Sequence, residues 1–152
     1  MTVPRPGGAR SGTGGRRRLL RRGVTAALGV VELSWGAWAY FAPANFFLDF
    51  PGFGHRWTGA YLPYNEHLTS DLGATFLTLG ALLVVAAVLD DRRVSVVVLC
   101  GVAGFNVLHL AYHAGHRGEL VGADYAASLV ALALGVLVPV ALLFAGRASR
   151  ES

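Results

Sequence analysis

Five histidines stand among 152 residues, and three of them, His109, His113 and His116, share one short stretch. On a helix turning 100° per residue, His113 lies about 40° from His109 and His116 about 20° to the other side. One narrow face then carries three imidazoles over roughly 10 Å. A second polar stretch, Pro63-Tyr64-Asn65-Glu66-His67-Leu68 followed by Asp71, spaces His67 and Asp71 as helical neighbours. Neutral imidazole beside carboxylate suits zinc, iron or copper. His67, His109, His113 and His116, with Glu66 or Asp71, are therefore candidate ligands for a transition metal. Facing histidines could instead hold a b-type haem, and the lack of C-x-x-C-H excludes ordinary c-type attachment. Acids and imidazoles at graded depth could also relay protons. Glu32, Asn106, Asp124 and Ser128 are the remaining polar residues placed to join one pocket. Each of these residues also has a plainer reading. Glu66 suits the first turn of a helix, His55 and His116 suit a membrane interface, and the whole cluster could simply lock helices together.

The elements that must position these groups follow from composition. The chain is 54% apolar and only 14% charged, against about 25% charged in soluble domains. Four apolar runs, about 24–42, 72–89, 94–114 and 125–145, each approach the ~20 residues needed to cross hydrocarbon. Backbone groups in lipid must be satisfied within the segment, so these runs are predicted to be α-helices. The expected fold is all-α, a four-transmembrane-helix bundle over residues 23–146. Residues 1–22, rich in arginine and glycine, are expected to be a disordered cytoplasmic tail, and 147–152 a second short tail.

Thirteen arginines and no lysine supply the positive charge. Eleven arginines fall in residues 1–22, the Asp90-Asp91-Arg92-Arg93 turn and the Arg147–Arg150 end, and only Arg56 and Arg117 fall elsewhere. The positive-inside rule gives an N-in/C-in, multi-pass protein of a bacterial inner membrane, with loops 43–70 and 115–124 outside. Arginines beside an apolar run point to an anionic leaflet of the lipid bilayer, not to nucleic acid. Under this topology the start of the second helix and the end of the third reach the same outer surface, so both polar stretches converge there. Arg16-Arg17-Arg18-Leu19-Leu20-Arg21 is close to a twin-arginine export signal. The apolar run behind it is long for a signal and contains Glu32, which favours a retained helix.

Gly29 and Gly36, Gly73 and Gly80, and Gly101 and Gly104 offer small surfaces for close helix contact. Pro139 is expected to kink the fourth helix. Cys100, alone and inside an apolar run, excludes an intramolecular disulfide and reads as a buried thiol. Phe46, Phe47, Phe50, Phe53, Trp57, Tyr61 and Tyr64 crowd the first outer loop, as an aromatic belt at headgroup level or a lid over a pocket.

Phe50-Pro51-Gly52, Gly54, Trp57, the Pro63-Tyr64-Asn65-Glu66-His67-Leu68 stretch with Asp71, Gly73 and Ala74, and His109-x-x-Tyr112-His113-x-x-His116 resemble a group of small actinobacterial four-helix membrane proteins, loosely DoxX-like. The resemblance covers about residues 24–145. It implies membrane location and a polar cluster belonging to the group, and it supplies no reaction. Membrane di-iron hydroxylases carry about eight histidines in several boxes, and five argue against that chemistry. The expectation is a structural or accessory membrane protein, leaning away from an enzyme, with an outward-facing His/carboxylate cluster. A metal- or haem-binding, redox-linked protein is the first alternative. The second is a proton-coupled transport or channel component, which would need a homo-oligomer or a membrane partner protein.

Overall fold

A computed structural model describes residues 11–148, with side chains over 14–145. Its long elements are helices α1 (Ser11–Phe41), α3 (Glu66–Leu89), α4 (Arg92–Gly115) and α5 (Gly122–Ala148). Between α1 and α3 lie a short helix α2 (Pro43–Asp49), a two-residue hairpin of β1 (Pro51–Gly52) and β2 (His55–Arg56), and one 3-10 turn, Thr58–Ala60. Helices α3, α4 and α5 are long and apolar enough to cross a membrane. Helix α1 is less apolar, because Glu32, Ser34, Trp35 and Trp38 interrupt its hydrophobic half.

The helix limits follow local chemistry. Asn65 caps α3 by accepting from the Leu68 N–H at 3.1 Å, which starts that helix earlier than its apolar run. Asp90 ends α3 in a left-handed conformation (φ 50°). Asp91 then caps α4, accepting from Arg93 N at 2.8 Å and Val94 N at 3.0 Å. Two adjacent aspartates thus make the whole α3–α4 turn.

Residues 11–22, expected to be disordered, form the first turns of α1 instead. Arginine is a good helix former, and these turns have an acidic partner. Arg18 pairs with Asp90, Arg21 reaches it at 2.6 Å, and Arg22 donates to the Ala87 carbonyl at 3.1 Å. Burial pushes the Asp90 carboxyl up, but the Arg18 hydrogen bond and the charges of Arg18, Arg21 and Arg22 outweigh it and hold it below the usual carboxylate range. Residues 1–10 and 149–152, the rest of the expected tails, lie outside the described residues.

Helices α1 and α3 run antiparallel and touch through glycine. A Cβ on Gly29 would stand 2.9 Å from the Gly80 carbonyl oxygen, and one on Gly36 would stand 2.6 Å from Leu77 N and 2.9 Å from the Gly73 oxygen. The two glycine pairs are two helical turns apart and lie in one register. Helix α5 meets α4 at Gly135, where the Asn106 side chain fills the space a Cβ would need, 2.7 Å away. Leu83, Leu99, Val102 and Leu142 form the buried core, joined by Val24 and Leu28 of α1. All four long helices therefore share one core. Pro139 lies inside α5 and is fully buried.

Two expectations about α4 fail. Gly101 and Gly104 have open space where their Cβ atoms would be, and Cys100 is exposed. The reason is phase, since Leu99, Val102, Ala103 and Asn106 are the buried positions and turn these three outward.

Candidate functional site

At the end of the bundle opposite Asp90, segment 42–65 folds into a cap over the helix ends. Phe50 is its centre, with ring centres 5.3 Å from Trp35, 4.7 Å from Phe46 and 6.3 Å from both Trp38 and Trp57. Thr58 Oγ1 donates to the Phe46 and Phe47 carbonyls at 3.0 and 2.8 Å. Arg56 Nε donates to the Leu48 carbonyl at 3.0 Å. The loop aromatics thus stack on one another as a folded layer. Two stand apart: Phe53 is fully exposed at the hairpin tip with φ 58°, and Tyr61 faces His113, with ring centres 4.9 Å apart.

Loop 116–121 docks onto this cap. Gly118 has φ +57°, and a Cβ there would meet the Ala60 carbonyl oxygen at 2.5 Å, so this close approach requires glycine. Glu119 N donates to the same carbonyl at 3.0 Å.

Tyr61 joins the two loops to α4. Its hydroxyl donates to the His116 carbonyl at 2.9 Å and lies 2.8 Å from His113 Nδ1. A phenol has one proton and a carbonyl can only accept, so His113 must donate through Nδ1–H. That fixes the neutral His113 tautomer and leaves Nε2 with its lone pair. Burial, then the nearby Tyr125 and Tyr112, push the Tyr61 hydroxyl above its ordinary range, so it stays a donor. Tyr125 donates to the Ala114 carbonyl at 3.1 Å, and His116 stacks on Tyr112 with ring centres 4.5 Å apart. His109 lies one turn below His113, their ring centres 4.8 Å apart. Phe105 at 5.4 Å and Phe76 at 6.5 Å flank it.

The remaining candidates are dispersed. His67 and Asp71 approach at 3.4 Å, but their side chains are 82% and 62% exposed, so solvent or headgroups see them first. Glu66 occupies the first turn of α3 and is exposed. The six candidate ligands are not assembled, because α3 turns its inward face to α1 and leaves His67 outside. Among the described residues, no three His, Cys, Asp or Glu side chains are grouped to hold a metal ion. His109 and His113 lie one turn apart on one helix and approach from the same side, so no porphyrin plane fits between them. Asp124 takes a partner the sequence did not suggest: His55 Nδ1 donates to its Oδ1 at 2.7 Å, and Trp57 Nε1 lies 3.4 Å away. Ser128 donates to the Tyr125 carbonyl at 2.8 Å and Asn106 to the Val102 carbonyl at 2.9 Å. Glu32 is buried on α1 between Gly29 and Gly36, and its Oε2 has no hydrogen-bond partner among the described residues.

Sequence reasoning missed Tyr61, Tyr125 and the role of His55. Tyr61 was visible only as one aromatic among seven, and nothing in its spacing from His113 announces a contact. A shallow surface concavity of about 300 Å³ lies on α3, lined by Ala74, Thr75, Thr78 and Leu79, and one of about 430 Å³ lies against the hairpin, with His55 and Arg56 in its lining. No family model, curated protein or solved structure matches the chain.

Proposed function

We propose that this chain is a four-span protein of a bacterial inner membrane, N-in/C-in, with a structural or accessory role and a polar cluster that clasps its outer loops to the helix ends. Three helices suit a bilayer by length and apolar character. Helix α1 shares their core and crosses with them in this reading. The arginines at the ends of α1 and α4 gather with the α3–α4 turn on one side, which the positive-inside rule makes cytoplasmic.

The observation that carries the role is the Tyr61 hydroxyl, held between His113 Nδ1 and the His116 carbonyl. One side chain of the first loop satisfies a donor and an acceptor at the end of α4. His55–Asp124 does the same between the hairpin and α5. These polar groups bind one another across segments far apart in sequence, which suits a clasp. Each hydrogen bond contributes about 0.5–1.5 kcal/mol.

Thermal unfolding of the detergent-purified protein tests this. Tyr61→Phe loses both bonds at nearly constant shape and should lower Tm by several degrees. His113→Gln should do likewise, with a non-additive double variant. Unchanged melting in Tyr61→Phe would remove the clasp reading.

A further inference from the structure

We infer that His109 and His113 form a two-imidazole site for a divalent late transition-metal ion, with Tyr61 holding His113 in its ligating tautomer. The clasp uses only Nδ1 of His113. The site uses the nitrogens that the clasp leaves over, so it goes beyond that reading.

Three independent features converge. The first is the tautomer: a metal-bound histidine characteristically donates its other ring N–H to an outer partner, which orients the ring and raises its basicity. The His113 Nδ1–H to Tyr61 bond, at 2.8 Å, is such an arrangement, and it leaves Nε2 unprotonated. The second is spacing. With metal–nitrogen bonds of about 2.0–2.1 Å, two imidazoles on one tetrahedral ion have ring centres about 5 Å apart. His109 and His113 stand at 4.8 Å. The third is that the His109 ring makes no hydrogen bond among the described residues, although it is only partly exposed and is walled by Phe76 and Phe105. Packing beside two phenyl rings offers the His109 nitrogens no polar partner, and a shared ion supplies one.

Imidazole donors suit copper, nickel and zinc, with Cu²⁺ bound most tightly among them. Two protein ligands leave coordination positions for water or an incoming donor, so the ion is exchangeable. The other histidines are set apart by position: His67 is on the exposed face of α3, His55 lies on the hairpin against Asp124, and the His116 ring stacks on Tyr112.

The test uses the full chain in detergent, stripped with chelator and titrated with Cu²⁺ and separately with Zn²⁺. One ion per chain is expected, with two nitrogen ligands in the Cu²⁺ electron paramagnetic resonance spectrum. His109→Gln and His113→Gln should each remove one nitrogen and weaken binding at least tenfold. Tyr61→Phe should keep both nitrogens yet weaken binding about 10- to 100-fold. His55→Gln, His67→Gln and His116→Gln should bind as the parent does. A second measurement needs no variant: Zn²⁺ should protect His109 and His113 of the unaltered protein from diethylpyrocarbonate, read by mass spectrometry. Sub-stoichiometric binding, unaltered affinity in His109→Gln, or protection confined to His55 or His67 would overturn the site. Melting of the metal-free variants reports on the clasp separately.

Discussion

Asp90 shows what a single residue does here. Its left-handed backbone ends α3, it stands beside the Asp91 cap of α4, and its carboxylate pairs with arginines two to three turns into α1. Because those arginines hold its native pKa below the ordinary carboxylate value, the folded state binds fewer protons than the unfolded chain in that range. The stability it contributes is therefore complete above the unfolded value and is lost as pH falls through the lowered native one. Asp90→Asn should cost a few degrees of Tm at neutral pH and flatten the loss of stability on acidification. Melts of both proteins from neutral into acid pH check this. Residue chemistry was only half legible in the sequence. The i, i+4 relations His67–Asp71 and His109–His113 follow from spacing alone, and both occur. Tyr61–His113 and His55–Asp124 bridge 52 and 69 residues, and no local period announces such pairs. The partners of the Arg18–Arg22 run were equally hidden, which is why a helical stretch read as a tail.

Among the elements, the α1–α3 pair is set by the absence of side chains. A Cβ at Gly73 would meet Tyr40 N at 2.6 Å and the Ala39 carbonyl carbon at 2.9 Å, both rigid backbone. Gly73→Ala must push the helices apart, and overpacking of this kind costs about 1–3 kcal/mol. Gly101→Ala and Gly104→Ala meet nothing within 4 Å, so they should leave stability equal or slightly higher. Thermal melts of the three variants in one detergent check the contrast. Sequence spacing marked all three glycine pairs alike. What separated them is the phase of each helix against its neighbours, which is a tertiary property. Apolar run length, by contrast, located α3, α4 and α5 to within a few residues at the ends nearest Asp90, because desolvating the backbone leaves an apolar segment no alternative to helix.

At the scale of the molecule, the bundle is polarised: most arginines, with Asp90 and Asp91, at one end, and the loop aromatics and the histidines at the other. If that axis crosses a bilayer as proposed, its two ends differ in access. In a Cys100→Ala background, Arg92→Cys should react with an impermeant maleimide only after the cells are opened, and Glu119→Cys should react on intact cells. The reverse pattern would invert the topology. Helix α1, 31 residues long, spans about 46 Å against about 36 Å for each 24-residue helix, so on that proposal its first turns would project beyond the hydrocarbon.

The glycine seam has a consequence in time. The glycine and arginine contacts that fit α1 against α3, from Gly29 and Gly36 to Arg18 and Arg21, are made with a segment the ribosome delivers dozens of residues later. During synthesis the first helix therefore waits with its seam open and Glu32 uncovered until α3 turns back along it. The helix made first is the one finished late, and if it crosses the bilayer as proposed, its least apolar stretch needs shelter from the insertion machinery in the interval.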